Sequence, residues 1–176
     1  MDSLTDPDTV WGFQDESSQR ISSRTARLWS LDKPIRRMNS DRINANVFGF
    51  YAMRGNSLAC FPEGSKGTDM CNFLDAVRAA NGSRKIVMIL DNGPIHHTNI
   101  VKEHAEELGI QLIFLPPYSP QFNPIEFVWK AIKKVVSSMF LLERTHLINV
   151  VEEQFMKETK KISYAEGWLK TFFIQS

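Results

Sequence analysis

The chain has 176 residues, a length typical of a single domain that buries roughly 70% of its unfolded surface. Its hydrophobic content of 43% and charged content of 23% are ordinary for a globular protein, and no apolar run approaches the roughly 18 residues of a membrane-spanning helix, so no membrane partner is expected. The net charge of +1 does not by itself indicate a nucleic-acid-binding protein.

The start of the chain and its cysteines indicate a cellular location. Residues 1–4 lack the basic and apolar regions of a signal peptide. Cys60 and Cys71 have no metal-site spacing and suggest a reducing compartment. We therefore expect a cytoplasmic protein.

The N-terminal half is predicted to be mostly β-structure. Residues 1–9 are acidic, contain Pro7 and are interpreted as a loose lead-in. After them, short β-prone runs alternate with breaks rich in Gly, Asn and Arg. These runs predict four strands, over residues 10–16, 25–31, 46–53 and 57–61. Residues 54–56, Arg-Gly-Asn, predict a hairpin turn between the last two.

Helical spacing of apolar residues begins after residue 67. Thr68 is predicted to cap a first helix, and Thr98 a second one that Gly109 ends. Apolar stripes predict a third helix that extends to Met139 and a weaker fourth one over residues 147–155. Continuous apolar runs predict strands at residues 86–90 and 110–115.

This order of elements favours an α/β, ribonuclease-H-like fold with a mixed sheet of about five strands flanked by helices. The sequence contains no repeat, no low-complexity segment and no internal linker. We predict one domain over residues 10–142, with residues 143–176 as a C-terminal helical extension packed on it.

Asp15 is the first candidate functional acid. In an extended segment Trp11, Phe13 and Asp15 share one face, while Gln14 and Glu16 point the other way. Aspartate is disfavoured in strands, so its presence at the edge of the core calls for a reason. The alternative is that residues 15–17 simply begin a turn.

Asp91 is the second candidate. It follows a strand that is predicted to be buried, and ligand groups in α/β sheets gather beyond the carboxyl ends of strands. Asp-Asn-Gly is also good turn chemistry, so a purely structural role stays open.

Glu126 is the third candidate. Asn123 at the N-cap, Pro124 at the first helical position and Glu126 at the third fit a capping box, and Lys130 could pair with Glu126 on the surface. Alternatively, Glu126, Lys130 and Lys133 form one flank that carries a metal ligand followed by lysines that contact phosphates. The residues leave both interpretations open.

Three carboxylates from distant points of a chain are what a nuclease needs to hold two divalent metals against a phosphodiester. Charge distribution adds a second hint, because residues 20–42 contain seven basic residues against two acidic ones. This excess could form a phosphate-facing patch or a solvated surface. The candidate DNA-contacting residues are Arg20, Arg24, Arg36, Arg37, Lys130 and Lys133.

The motifs around the three acids resemble those of one enzyme family. Residues 115–129, LPPYSPQFNPIEFVW, closely resemble the signature of the mariner-type transposases and their bacterial insertion-sequence relatives. Residues 13–17, FQDES, and 90–96, LDNGPIH, are similar to the motifs around the first and second acids of that superfamily. The 34 residues between Asp91 and Glu126 are similar to the spacing in members whose third acid is glutamate.

This resemblance implies that Asp15, Asp91 and Glu126 form an Asp-Asp-Glu metal triad for two Mg²⁺ or Mn²⁺ ions. It implies cleavage of DNA at transposon ends and strand transfer to a TA target by a nucleoid-associated enzyme. His96 matches a histidine that often follows the second acid by five positions; a structural role, metal ligation and a contact that supports a metal ligand are all open. Trp129 is expected to pack in the core rather than on DNA.

Relatives usually carry an N-terminal helix-turn-helix region, whereas only fourteen residues precede Asp15. The resemblance therefore implies a catalytic domain that acts with a separate helix-turn-helix protein and as a homodimer. One rival hypothesis is a remnant that binds DNA or a full-length transposase without cleaving DNA. The other is a ribonuclease or junction nuclease on the same fold.

Overall fold

One mixed sheet of five strands organises the chain. A computed structural model describes residues 6–20, 43–117, 119–139 and 143–172. The strands are Val10–Arg20 (β1), Asn44–Arg54 (β2), Leu58–Cys60 (β3), Ile86–Leu90 (β4) and Ile110–Phe114 (β5). The α-helices of the described part are Gly67–Asn81 (α1), Asn99–Glu107 (α2), Ile125–Ser138 (α3), Arg144–Glu158 (α4) and Glu166–Phe172 (α5). Three short 3₁₀ helices span Pro94–His97, Pro120–Phe122 and Ile162–Ala165.

The strand order β3-β2-β1-β4-β5 places β1 at the centre of the sheet. β2 pairs antiparallel with both β1 and β3, and the turn between β2 and β3 uses Gly55 at a φ of 110°, where a side chain would be strained. β4 pairs parallel with both β1 and β5, because α1 and α2 provide the crossovers that parallel strands need. The predicted ribonuclease-H-like fold is confirmed.

Alternation along the strands divides the core between two faces. On β4, Val87 and Ile89 join a cluster with α3 and α4, whereas Ile86, Met88 and Leu90 join a cluster with α1 and α2. Both clusters are built from large apolar side chains, each of which contributes roughly 1.5–3 kcal/mol when fully buried. The helices therefore cover the sheet on both sides, which explains the continuous apolar run of β4.

Most predicted elements are present with shifted ends. β1 continues to Arg20, four residues beyond the predicted strand, because it pairs with β2 along its whole length. The predicted hairpin between β2 and β3 is confirmed, and Gly109, at a φ of 63°, ends α2 as expected. The predicted strand over residues 25–31 lies outside the described residues.

The helix caps differ in detail from the predictions. The first helix begins at Gly67 rather than after a Thr68 cap, and the Asp69 carboxylate accepts the amide of Lys66 at 2.8 Å. Thr98 is at the N-cap of α2, but its hydroxyl donates to the carbonyl of Ile95 at 2.7 Å. Neither threonine hydroxyl therefore caps its helix as predicted.

The C-terminal helices pack on the same core as the third helix. Leu147, Val151 and Phe155 of α4 belong to the cluster that contains Val128 and Trp129 of α3. The division of the chain at residue 142 stays a prediction. Within the described residues, no helix has both the length and the apolar character that crossing a membrane would require.

Candidate active site

Asp15 lies on the central strand, on the face that it shares with Trp11 and Phe13 as expected. Its Oδ2 accepts a hydrogen bond of 2.9 Å from the indole Nε1–H of Trp129. Burial raises the pKa of Asp15 to about 7, and the negative charges of Glu126 and Asp91 add to the increase. The hydrogen bonds from Trp129 and from the backbone of Glu16 oppose it. Asp15 is therefore a carboxylate held in an environment that disfavours its charge.

Asp91 follows β4 at the same level of the sheet. The parallel register pairs Phe13 with Ile89, so Asp15 and Asp91 each lie two residues beyond a matched pair. Asp91 Oδ1 accepts the amide of Gly93 at 2.8 Å, which is the turn chemistry that the sequence allowed. The same oxygen lies 3.3 Å from Nε2 of His96, and this contact lowers the pKa of Asp91. Asp91 thus combines a turn role with an ionised carboxylate.

His96 is 3% exposed and lies beside Asp91. Its Nε2 is also 4.0 Å from Oε1 of Glu16, a residue that alternation places on the face of β1 opposite to Asp15. Among the described residues, Nδ1 of His96 has no hydrogen-bond partner. No feature of the sequence marks Glu16 as a site residue, because only the tertiary structure brings it near the residues that follow β4.

Glu126 is exposed in the first turn of α3, and the capping box, one of the two interpretations that the sequence left open, does not form. Pro124 takes the N-cap position, where it makes no side-chain hydrogen bond. Asn123 is 3% exposed and donates from Nδ2 to the carbonyl of Gln14 at 3.1 Å, whereas its Oδ1, the atom that would accept a capping hydrogen bond, has no partner among the described residues. Within the described residues Glu126 forms no ion pair with Lys130 either, so neither structural explanation of this glutamate holds.

The structure brings the three acids together. Asp15, Asp91 and Glu126 all line one open cleft of about 480 Å³. The loop after β4 forms one wall, and the proline-rich loop between β5 and α3 forms the other. Asn92 connects the two walls, because its side-chain amide donates a hydrogen bond to the carbonyl of Leu115. The cleft therefore presents three carboxylates from three separate elements.

The donor set suits a hard divalent cation, because Mg²⁺ and Mn²⁺ prefer carboxylate oxygens. Burial raises the pKa of Asp15, the negative charges of Glu126 and Asp91 add to the increase, and a cation between the acids would oppose it. No three His, Cys, Asp or Glu side chains within the described part of the chain are close enough to form a ready-made metal group. The carboxylates of the cleft therefore suit a divalent metal by their chemistry, but their side chains are not arranged as a coordination shell.

The basic residues lie partly beside this cleft. Lys130 and Lys133 are exposed on α3, four and seven residues after Glu126, and so share its flank of the helix. Arg20 is exposed at the end of β1. Arg24, Arg36 and Arg37 lie outside the described residues. The structure thus places two of the predicted DNA-contacting lysines in line with the third acid.

Comparison with known proteins decides the family. The sequence profile of the DDE superfamily endonucleases matches residues 10–148. This chain belongs to the DDE superfamily endonucleases. The resemblance inferred from the acidic motifs is therefore confirmed. No curated protein matches the chain in sequence.

Solved structures with this fold include complexes of the Mos1 transposase. The Mos1 mariner paired-end complex with Mg has a TM-score of 0.65 at 16% identity over 92% of this chain and 53% of that chain. The Mos1 strand transfer complex has a TM-score of 0.63 at 15% identity over 92% and 52%. The catalytic domain of Mos1 mariner transposase has a TM-score of 0.57 at 13% identity over 88% and 76%. The chain spans about half the length of the transposase chains in these complexes, and the likeness shows the fold.

The pH dependence of the free energy of unfolding should reveal the cost of burying the charged Asp15 carboxylate. The pKa of Asp15 is about 7 in the folded protein and 3.8 in the unfolded chain. Between pH 3.8 and pH 7 the folded state therefore keeps a proton on Asp15 that the unfolded state has lost. The contribution of Asp15 to stability is therefore greatest below pH 3.8 and is lost as the pH rises through 7. With EDTA present, Asp15→Asn should raise the free energy of unfolding at pH 8 by about 2–4 kcal/mol, measured by urea denaturation.

The gain should shrink as the pH falls from 7 toward 4, because Asp15 becomes protonated in the folded state and its charge is no longer buried. Glu153→Gln, at an exposed position of α4, is the control and should leave the profile unchanged. If Asp15→Asn increases the free energy of unfolding by the same amount at every pH, the raised pKa of Asp15 is contradicted.

Proposed function

We propose that this chain is the catalytic domain of a transposase, which cleaves DNA strands at transposon ends and joins them to target DNA. The observation that carries the proposal is that Asp15, Asp91 and Glu126 line one cleft in a chain of the DDE superfamily endonucleases. A strand-transfer enzyme of this kind needs no covalent intermediate, so three carboxylates and an open cleft suffice for its chemistry.

The three acids would hold two Mg²⁺ or Mn²⁺ ions. When bound, such ions activate the attacking hydroxyl and stabilise the departing 3′ oxygen. Asp15 would give up its proton and bind as a carboxylate, since a nearby cation offsets the burial and the like charges that raise its pKa. Gly93 and His96 hold Oδ1 of Asp91, and this limits how the carboxylate rotates at the edge of the cleft.

DNA is the proposed substrate. Support comes from the neighbours, which are Mos1 complexes with transposon ends and with transferred strands, some containing Mg or Mn. Lys130 and Lys133 are suited to phosphate contacts that continue from Glu126 along α3, and Arg20 lies at the end of β1. A TA target dinucleotide is proposed from the resemblance alone.

Recognition of the transposon ends is a separate question from cleavage. From the resemblance alone, we propose that a helix-turn-helix protein takes part in it. Pairing of two transposon ends favours a homodimer. The location, cytoplasmic and nucleoid-associated, stays a prediction.

A second candidate function is a remnant that binds DNA or a full-length transposase without cleaving DNA. One observation favours it: the described residues contain no group of acids close enough to form a metal cluster. Under this hypothesis the purified chain would bind duplex DNA, but Mg²⁺ or Mn²⁺ would produce no nicks.

The triad is tested by isosteric substitution. Asp15→Asn, Asp91→Asn and Glu126→Gln should each reduce metal-dependent nicking of a supercoiled plasmid by roughly 10²-fold or more, because each removes a charged oxygen ligand. Glu153→Gln should retain the activity of the unsubstituted chain. Thermal melting checks that each variant is folded, and full activity in a triad variant would remove that residue from the site.

Substrate class separates the transposase from a ribonuclease on the same fold. Equal amounts of duplex DNA and of an RNA–DNA hybrid with the same sequence are offered with Mg²⁺ or Mn²⁺. The transposase hypothesis predicts nicks in duplex DNA, with little cleavage of the hybrid. Preferential cleavage of the RNA strand would overturn it in favour of the ribonuclease.

The lysines on α3 are tested through the salt dependence of DNA binding. Each phosphate contact contributes about −0.9 to the slope of log K against log salt concentration. The double variant Lys130→Gln/Lys133→Gln should therefore bind duplex DNA more weakly, with a slope shallower by about 2. Lys102→Gln/Lys157→Gln removes two exposed lysines from α2 and α4 and should leave the slope unchanged. Equal slopes in both double variants would exclude this interface.

A further inference from the structure

Trp129 joins the helix of the third acid to the first acid. It is 1% exposed, and its ring packs against Phe155 with a centroid distance of 5.3 Å, as expected of a core residue. Its polar end nevertheless points at the site, because Nε1–H donates to Oδ2 of Asp15 at 2.9 Å. The two residues are 114 positions apart in the sequence, so this contact depends on the fold.

Gly49 makes room for this contact. It lies directly opposite Asp15 in the register between β1 and β2. A Cβ at this position would lie 2.6 Å from Cη2 of Trp129 and 2.7 Å from Cε2 of Phe155, which is closer than real Cβ atoms approach other atoms. The φ of Gly49 is not positive, so the backbone does not require glycine here. The missing side chain is instead the space that the indole occupies.

The hydrogen bond has two consequences for the site. It restricts rotation of the Asp15 carboxylate, because one oxygen is held by a donor that is itself locked in the core. It also ties α3 to β1, together with the bond from Asn123 to the carbonyl of Gln14. Glu126 lies between Asn123 and Trp129 in the sequence, so these bonds set where the third acid stands relative to the first.

We infer that Trp129 is a positioning residue for the acidic cleft: its indole N–H, seated over Gly49, orients Asp15 toward a bound divalent cation and sets the spacing between Asp15 and Glu126. This inference rests on the proposed function of the cleft as a metal site. Donors that hold metal-ligating carboxylates typically affect metal affinity by 10–100-fold. The alternative is that Asp15 serves only as a hydrogen-bond acceptor for the buried indole. In that case loss of the indole N–H would lower stability and leave the affinity for metal unchanged.

The test measures affinity for Mn²⁺ by calorimetry and by electron paramagnetic resonance, without any DNA. Trp129→Phe keeps an aromatic ring and removes the N–H, and it should weaken Mn²⁺ binding by roughly 10–100-fold. Gly49→Ala should weaken binding in the same way, since the new methyl group displaces the indole from Asp15. Phe155→Leu is the matched control, because it disturbs the packing of the same indole and leaves its N–H in place. It should lower the melting temperature and keep the affinity for Mn²⁺.

The outcomes separate this inference from the proposed function. If the unsubstituted chain binds neither Mn²⁺ nor Mg²⁺, the proposed metal site itself fails. If the unsubstituted chain binds Mn²⁺ and folded Trp129→Phe binds it equally well, the positioning role is overturned. Loss of affinity in Phe155→Leu as large as in Trp129→Phe would also overturn it, since packing alone would then explain the effect.

If Trp129→Phe and Gly49→Ala both fail to fold, the inference can still be tested on the unsubstituted chain. The indole ¹H–¹⁵N resonance of Trp129 is followed during a titration with Mg²⁺. A resonance that moves in proportion to metal binding supports the inference, because the acceptor of its hydrogen bond is then a ligand. A resonance that stays in place while metal binds overturns it.

Discussion

The parallel pairing of β1 with β4 is the constraint on which the site depends. The parallel pairing of these two strands, which are distant in sequence, ends at the pair Phe13–Ile89, and Asp15 and Asp91 each lie two residues beyond that pair. Parallel strands require crossover helices, and these cover one face of the sheet, while the helices after β5 cover the other. The first turn of α3 then brings Glu126 to the cleft that these two acids line. The position of the acids thus follows from how the sheet is paired and covered.

Concentrated negative charge is the electrostatic consequence of this geometry. Asp15 and Asp91 respond differently, because their surroundings differ: burial and like charge raise the pKa of Asp15, whereas contact with His96 lowers that of Asp91. Groups with such opposed shifts in one cleft are typical of functional sites. The neighbouring donors, Trp129 and His96, are held in the core, so the orientation of the acids is coupled to the packing that stabilises the fold.

Local pattern predicted the elements well and their ends less well. The continuous apolar run of β4, the stripe of α3 and the stop at Gly109 depend on periodicity and backbone freedom, which neighbouring residues determine. The capping box at Asn123 does not form: Pro124 takes the N-cap position, and the side-chain amide of Asn123 instead donates to the carbonyl of Gln14, 109 positions away. β1 is longer than predicted because its partner β2 continues to pair with it, and no property of residues 17–20 alone shows this.

The sequence by itself determined the three acidic motifs, their order and spacing, and the proline-rich approach to Glu126, and these were enough to indicate the family. It also determined which residues face the core, because alternation and helical period are properties of the chain. Only the tertiary structure decided that the acids share one cleft, that Glu16 lies beside His96, and that Trp129 serves both core and site. The reason is physical: these contacts join residues from separate elements, and their distances are set by sheet register and helix packing rather than by local preference.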